Sequence, residues 1–369
     1  MLGLLIAVVC VVHVPRSITD RCLPLWRNDQ RKDTPPLRLT VSFTVKKARG
    51  TKLNCRRPLA VLSNKFVLTS VVFESNCLGP QVTMTQPTPR HEGLRKKMAL
   101  KSRLAAGALG EFFGTFLLCL IGLSIVAQFV LKKGSETEWI QINFGWGMAV
   151  TFCAGIVGRT SGGHLNPAIS ALLLSFGEIN LKTFLVYVVA QLAGAIAGAA
   201  GVYGIYYDLF HDFDKGTRAI KGDFGSAGVF TTFAPEFLSP RGAFVDQFVG
   251  TGLLALFVTF IIDRRNRIPA HLHTLLFGLA LTMIGTGFSA NLGYPINPAR
   301  DLGPRIFAFF IYGSEVFTHP YPGYWLIPVI APFFGAVFAG WAYYAFVGWH
   351  IENEKDAYLP VGQKIVVEE

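Results

Sequence analysis

The sequence predicts an all-α membrane protein with six transmembrane helices and two half-length helices. Apolar residues make up 51% of the 369-residue chain and charged residues only 15%, against a charged share of about 25% in soluble domains. Six apolar segments are long enough to span a bilayer. Two further apolar runs are too short to span, and each follows a copy of the motif Asn-Pro-Ala. Paired half-length segments of this kind indicate an inverted repeat.

The six long segments fall into two groups of three. They cover about 104–130, 140–158, 181–206, 242–263, 272–290 and 324–347. The short runs, Ala168–Phe176 and Ala299–Ile311, lie after the second and the fifth segment. We therefore predict a membrane domain over 101–351, with a first half over 101–206 and a second half over 242–347. With three spans in each half, the two halves have opposite orientations.

Small residues recur at every fourth position in three of the long segments. Examples are Gly110 and Gly114, Gly194 and Gly198, and Gly335 and Ala339. Small residues at this spacing let membrane helices approach one another closely. The pattern predicts tightly packed helices rather than separate spans.

Each short run begins with the motif. The two copies are Asn166-Pro167-Ala168 and Asn297-Pro298-Ala299. Asn is a favoured N-cap and Pro suits the first helical position, so each triplet predicts the start of a helix. One copy alone would be an ordinary N-cap, but two copies lie 131 residues apart in matching surroundings. Two half-helices entering from opposite faces would place Asn166 and Asn297 side by side.

An irregular run precedes each triplet. The second is Gly293–Ile296, and the first consists of Gly162, Gly163, His164 and Leu165. Irregular backbone at membrane depth is tolerated only where it lines a cavity or is buried in protein. We therefore predict a polar stripe of carbonyl groups along a pore, with an apolar wall opposite. The half-helix N-termini add partial positive charge at the centre, which opposes cations and protons.

With both motifs in view, residues Lys101–Ile351 resemble the major intrinsic proteins, and their details resemble the aquaglyceroporins. The resemblance implies the aquaporin fold and a homotetramer. It also implies a passive channel, not an enzyme, that conducts glycerol, water and other small uncharged solutes such as urea while excluding ions and protons. No cofactor or metal is expected, since the sequence has no metal-ligand spacing, phosphate loop or nucleophile–base pair. We expect an integral protein of the plasma membrane.

The resemblance also implies a selectivity filter. Motif alignment places Trp146, Gly285, Tyr294 and Arg300 at its four positions. Glycine where water-only channels usually carry histidine widens the opening, and two aromatic faces form an apolar corner for a carbon chain. An intramembrane arginine is by itself a functional-site hypothesis. The alternative for Arg300 is an ion pair with Asp301, which is disfavoured because adjacent residues on a helix do not face each other. Without the alignment, Trp146 would be assigned to the interfacial aromatic belt.

Further features resemble the glycerol-conducting branch of the family. They are Asp301 directly after the second motif, the long connection 207–241, and Pro332 in the sixth segment. Arg305 matches a basic residue that follows this Asp in the family. Gln247 departs from the pattern, because the bacterial members have Glu at this position.

The basic excess lies in the N-terminal region. Residues 16–103 contain 19 Lys and Arg against 5 Asp and Glu. Nucleic-acid binding is one interpretation, but positive charge beside a membrane segment favours the cytoplasmic side. Together with Arg264, Arg265 and Arg267 between the fourth and fifth segments, it predicts cytoplasmic termini, a cytoplasmic tail over 352–369, and no nucleic-acid partner.

Residues 1–100 have no counterpart in the family and form either a disordered extension or a gene-model artefact. Met1–Val14 has the length of a signal-peptide core but lacks a basic start. The runs Leu39–Val45 and Phe66–Phe73 are β-like. Residues 59–70 faintly resemble an early strand of trypsin-like proteases, but the Ala-His-Cys that should follow is absent.

Three alternatives to a glycerol channel remain at this point. Gly285 and Asp301 argue against a water-selective channel. A secondary transporter would need an intramembrane acidic or histidine relay, and Glu111 has no evident partner of this kind in the other half. Nothing in residues 15–100 predicts an enzyme. For His164, the resemblance implies a carbonyl that lines the pore and a ring that packs behind it.

Overall fold

The computed structural model describes residues 90–135 and 138–352, and the helices are the regular secondary structure of this part. They are α1 Arg90–Met98, α2 Arg103–Leu131, α3 Trp139–Ser161, α4 Pro167–Ser175, α5 Leu181–Ile205, α6 Tyr207–Asp214, α7 Pro240–Ile262, α8 His273–Phe288, α9 Pro298–Tyr312, α10 Glu315–Thr318 and α11 Ile327–Phe346. The helix α1 lies within the predicted extension. The features predicted within residues 1–89, and the tail over 353–369, lie outside the described residues.

Six helices of the described part are long and apolar enough to span a membrane. They are α2, α3, α5, α7, α8 and α11, the last two together with short turns at their ends. Each agrees with a predicted segment to within three residues at either end. The half-length runs are helical as well, with 9 residues in α4 and 15 in α9. The predicted fold class is therefore confirmed.

Three of the spans begin at a side-chain cap. Ser102, Asn180 and Ser239 precede α2, α5 and α7, and each side-chain oxygen accepts the backbone N–H three residues further on. The donor–acceptor distances are 3.3, 2.9 and 3.1 Å. These caps satisfy N–H groups that the first helical turn leaves without a partner.

Equivalent helices pair closely in the two halves. The helix α2 packs along α5 in the first half, and α7 packs along α11 in the second. A Cβ atom on Gly194 would collide with the carbonyl oxygen of Phe112, and one on Gly335 would collide with that of Phe248. Only glycine permits such close backbone contact. The predicted small-residue packing is therefore present at corresponding places in both halves.

The half-helices connect the two halves. Both α4 and α9 pack against α5 of the first half and α11 of the second. The connection 207–241 contains α6 and then covers α9, where Phe230 and Thr232 contact residues of its first turn. This arrangement holds the N-termini of α4 and α9 in the interior of the bundle.

Candidate pore and selectivity filter

The two Asn-Pro-Ala motifs meet through a reciprocal pair of hydrogen bonds. Nδ2 of Asn166 donates to the carbonyl oxygen of Ile296 at 3.0 Å. Nδ2 of Asn297 donates to the carbonyl oxygen of Leu165 at 2.8 Å. Each asparagine thus bonds the residue that precedes the other asparagine. All four residues are buried, so the bonds fix the two irregular runs against each other.

The orientation of both side-chain amides follows from their helix caps. Oδ1 of Asn166 accepts the N–H of Ala168 at 2.9 Å. Oδ1 of Asn297 accepts the N–H groups of Ala299 and Arg300 at 3.0 and 3.2 Å. Because the oxygen of each amide faces its own helix, the nitrogen of each amide faces away from that helix. An amide nitrogen carries two N–H donors, and among the described residues only one acceptor is bonded to each. The second N–H of each asparagine is available to a solute.

The carboxylate of Glu111 holds the first irregular run from behind. The residue is fully buried and accepts four hydrogen bonds, from the N–H groups of His164 and Leu165, the hydroxyl of Ser161 and the amide of Gln191. The donor–acceptor distances lie between 2.6 and 2.9 Å. A buried carboxylate requires such donors because it has lost its hydration. The run therefore turns its N–H groups into the protein.

Gln247 plays the corresponding part in the second half. Its Oε1 accepts the N–H of Ile296 at 3.0 Å, and its Nε2 donates to Asp246 at 2.9 Å. The other carboxylate oxygen of Asp246 accepts from Asn291 at 2.9 Å. Gln247 stands where bacterial members of the family have Glu, and the contacts give a physical reason. This side chain must both accept and donate a hydrogen bond, whereas a glutamate would place a second carboxylate against Asp246.

Left-handed backbone turns both runs at the residue before the asparagine. Leu165 has φ 51° and Ile296 has φ 29°, values that residues other than glycine rarely adopt. The N–H groups bond to Glu111 and Gln247, and the carbonyl groups bond to the opposite asparagines. The same local geometry therefore occurs in both halves.

A cavity of about 660 Å³ runs beside these loops. One part of its lining is the predicted polar run, Gly162, Gly163, His164 and Leu165, together with Gly293–Ile296. Among the described residues, the carbonyl groups of Gly162, Gly163 and His164 receive no hydrogen bond. They are open acceptors for a passing donor.

Apolar side chains supply most of the remaining lining. They include Val150, Leu173, Leu254, Val258, Phe277 and Leu281. The cavity extends along α3 from Trp146 to Arg159, which is about 20 Å at the rise of a helix. Its length and two kinds of lining suit a narrow path along the bundle.

Trp146, Tyr294 and Arg300 come together in the lining of this cavity. The guanidinium carbon of Arg300 lies 4.6 Å from the centroid of the Trp146 ring, a cation–π distance. A Cβ atom on Gly122 would collide with this ring, so Trp146 is buried inside the bundle. It therefore does not belong to an interfacial belt.

Gly285 lies behind Tyr294 and is not part of the cavity lining. A Cβ atom on Gly285 would lie 2.6 Å from Cζ of Tyr294, closer than two carbon atoms can pack. The space left by the missing side chain is therefore occupied by the tyrosine ring. Gly285 affects the cavity by giving this ring its position, whereas the sequence predicted a direct widening of the opening.

Asp301 pairs with Arg305 instead of Arg300. Its Oδ1 is 2.9 Å from Nη2 of Arg305, and both side chains are fully buried. Its Oδ2 accepts the N–H and the hydroxyl of Thr232 at 3.1 and 2.7 Å. Arg305 also donates to the carbonyl oxygen of Val316 at 2.6 Å. This network leaves the guanidinium of Arg300 facing the cavity, with one long bond of 3.5 Å to the carbonyl oxygen of Phe230.

The ring of His164 packs against the protein. Its Nδ1 is 3.0 Å from the hydroxyl of Ser170, and the ring meets Tyr187 edge to face at 5.2 Å. The backbone of His164 lies in the polar run. The position of the ring agrees with the one implied by the family resemblance.

Sequence reasoning missed several residues of the site. They are Asn143 beside Gly285, Ser161 and Gln191 around Glu111, and Phe230, whose carbonyl oxygen accepts from Arg300. Asn143 and Gln191 carried a usable signal, because uncharged polar side chains inside apolar spans usually have a partner or a function. Phe230 carried none, since its role depends on how the connection 207–241 folds.

The helix bundle, the meeting half-helices and the lined cavity define a membrane channel. Comparison with known proteins gives its family. The model of the Major intrinsic protein family matches residues 98–343. The chain is 42% identical over 264 residues to Aquaporin-9 of Mus musculus, covering 71% of this chain and 89% of that protein. It is 38% identical over 244 residues to Aquaglyceroporin-2 of Rhizophagus irregularis, covering 65% of this chain and 76% of that one.

A solved structure agrees with these relatives. The X-ray structure of the aquaglyceroporin from Plasmodium falciparum matches with a TM-score of 0.60 and 32% identity, over 66% of this chain and 96% of that one. The chain therefore belongs to the major intrinsic protein family, which consists of passive channels and not of enzymes.

Proposed function

We propose that the chain is an aquaglyceroporin, a passive channel for glycerol and water that also admits small uncharged solutes such as urea and excludes ions and protons. The observation that carries this proposal is the meeting of Arg300 with two aromatic rings, Trp146 and Tyr294, in the cavity lining. A polyol has hydroxyl groups along one side and carbon along the other. The guanidinium would bind the hydroxyl groups, and the rings would take the carbon chain.

Passage below the filter follows from the polar run. Each hydroxyl group would exchange water for the open carbonyl groups of Gly162, Gly163 and His164 and then for the free N–H groups of Asn166 and Asn297. Partners placed in succession keep the loss of hydration small. Transport would be downhill and in single file.

Exclusion of cations and protons has two sources in this proposal. The N-termini of α4 and α9 point at the centre and carry partial positive charge. Arg300 adds a full charge in a buried position. Pores of the aquaporin type select by their diameter, by the donors that line them and by the positive ends of half-helix dipoles, and the lining described above offers the last two of these elements.

The alternative of a water-selective channel is not favoured. Relatives of the chain carry the name aquaglyceroporin. In addition, a tyrosine ring set back into the space at Gly285 leaves more room beside Arg300 than a histidine side chain at that position would.

The test is permeability of proteoliposomes that contain the purified chain, measured by stopped-flow light scattering under water and glycerol gradients. Protein-free vesicles of the same lipid are the control. We expect both fluxes to exceed the control. Fast water without glycerol would favour the water-selective alternative, and no flux of either solute would refute the channel.

We further propose a plasma-membrane homotetramer with cytoplasmic N- and C-termini. Arg264, Arg265 and Arg267 between the fourth and fifth spans support the orientation. Large apolar side chains exposed on the outer surface, such as Phe152, Val189 and Phe338, would face lipid or a second subunit. Antibody access to a C-terminal epitope in intact and permeabilised cells tests the orientation, and native mass spectrometry tests the assembly.

A further inference from the structure

Asn143 lies next to the filter without being one of its four expected members. It is 2% exposed and sits on α3, three residues before Trp146. A Cβ atom on Gly285 would lie 2.8 Å from Oδ1 of Asn143 and 2.6 Å from Cζ of Tyr294. The two side chains therefore converge on one small space, the one that Gly285 leaves open.

A close helix crossing fixes the position of Asn143. One turn further along α3, Gly147 meets Gly278 of α8, and a Cβ atom on either glycine would collide with the backbone of the other helix. Backbone contact of this kind gives two helices little freedom to shift. Asn143 and Gly285 therefore keep a constant separation.

The tyrosine ring has no comparable anchor. Among the described residues, the hydroxyl of Tyr294 and Oδ1 of Asn143 are both buried without a hydrogen-bond partner. Since neither oxygen is held by a bond, packing alone limits how far the ring can withdraw from the cavity. The side chain of Asn143 borders the same space, since its Oδ1 would lie 2.8 Å from a Cβ atom on Gly285, and it therefore bounds the room into which the ring could withdraw.

We infer that Asn143 is a specificity-determining residue of the channel, acting through Tyr294 as a stop that sets the bore of the filter. This inference rests on the proposed glycerol conduction. A smaller side chain at 143 lets the ring retreat and admits thicker solutes. A longer one presses the ring towards Arg300 and narrows the opening. Asn143 itself need not touch the solute.

The experiment compares the permeability of proteoliposomes to erythritol and to glycerol, each normalised to water flux in the same vesicles. Asn143→Ala should raise the ratio of erythritol to glycerol roughly tenfold, the scale on which one carbon group changes discrimination in an apolar pocket. Asn143→Gln should lower glycerol flux relative to water. Normal water flux shows that each variant is folded and inserted.

A matched variant separates a steric stop from hydrogen bonding. Asn143→Leu keeps the branched shape of the side chain and removes its polar atoms, so it should leave the solute ratio within about twofold of the native value. An unchanged ratio in both Asn143→Ala and Asn143→Gln would overturn the inference. A large fall of glycerol flux in Asn143→Leu would also overturn it, in favour of a polar role.

The native chain in the same experiment keeps the two claims separate. Absence of glycerol flux in the native protein refutes the proposed function. Native glycerol flux with a solute ratio that does not respond to the size of residue 143 refutes only the inference. If Asn143→Ala fails to insert, the opposite change in Asn143→Gln still decides the matter.

Discussion

Asn297 donates a hydrogen bond at 2.8 Å to the carbonyl oxygen of Leu165, a residue 132 positions earlier in the chain. The reciprocal bond from Asn166 to Ile296 makes the contact symmetric. Each asparagine uses its oxygen for a helix cap and one N–H for the other half. One donor remains on each side chain. The contact that joins the two halves is therefore also the contact that orients the central donors of the pore.

The charge of Arg300 should control selectivity more than throughput. We expect Arg300→Ala to raise proton or cation leak roughly tenfold or more, because a charge at close range in a partly desolvated site contributes several kcal/mol. Water and glycerol flux should change by about twofold at most, since the bore is not reduced. Arg159→Ala is the control, because Arg159 lines the far end of the same cavity and is exposed. An unchanged leak in Arg300→Ala would contradict its role in the filter.

Because the ring of Tyr294 occupies the space at Gly285, we expect substitutions at these two positions to have non-additive effects on flux. Gly285→His should disturb the filter and reduce both fluxes, because the new side chain would overlap the tyrosine ring. Adding Tyr294→Cys removes the ring and should restore water flux, with glycerol flux still low. Tyr294→Cys alone should retain glycerol conduction. Stopped-flow measurements on the three variants test this, and full glycerol flux in Gly285→His alone would contradict the packing.

The sequence was sufficient for the spans and the half-helices. Their lengths are set by bilayer thickness, and their starts by strong local signals such as Asn166 and Asn297 as caps. The sequence also argued against Arg300 as the partner of Asp301, since adjacent residues on a helix do not face each other, whereas residues four apart do. By this rule Arg305 is the partner, and Arg300 is left for the cavity.

The relation between Gly285 and Tyr294 could not have been predicted in the same way. It depends on Tyr294 adopting φ 45°, and tyrosine gives no local signal for that conformation. The sequence shows Gln247 where bacterial members of the family have Glu, but it does not show why. The reason is the contact with Asp246, which depends on side-chain directions near the start of α7.

The contact between Gln247 and Asp246 makes a charge substitution costly. In Gln247→Glu, two carboxylates would lie at hydrogen-bond distance, where the 2.9 Å bond is now. We expect lower thermal stability, by about 1–4 kcal/mol for two like charges at close range, between the limits of bulk water and of a typical protein environment. Adding Asp246→Asn should restore most of it, because a donor then faces the new carboxylate. Unfolding of the purified variants in detergent measures this, and a single Gln247→Glu variant as stable as the native protein would count against the assignment.

The buried pair of Asp301 and Arg305 should be structural. Arg305→Met leaves an uncompensated buried carboxylate, and breaking such a pair destabilises a protein by about 3–5 kcal/mol. The control is Lys215→Met, which breaks the exposed pair with Asp212 and should leave the unfolding temperature unchanged. Thermal unfolding in detergent compares the two. Equal effects of both substitutions would show that the buried network is not needed for the fold.

The most direct test of the proposed channel measures glycerol flux and proton leak in the same proteoliposomes, with scattering for the solute and an entrapped pH dye for protons. We predict rapid glycerol entry together with a proton leak no greater than that of protein-free vesicles. Rapid glycerol entry accompanied by collapse of an imposed pH gradient would contradict this prediction, because Arg300 and the two half-helix termini would then fail to exclude charge.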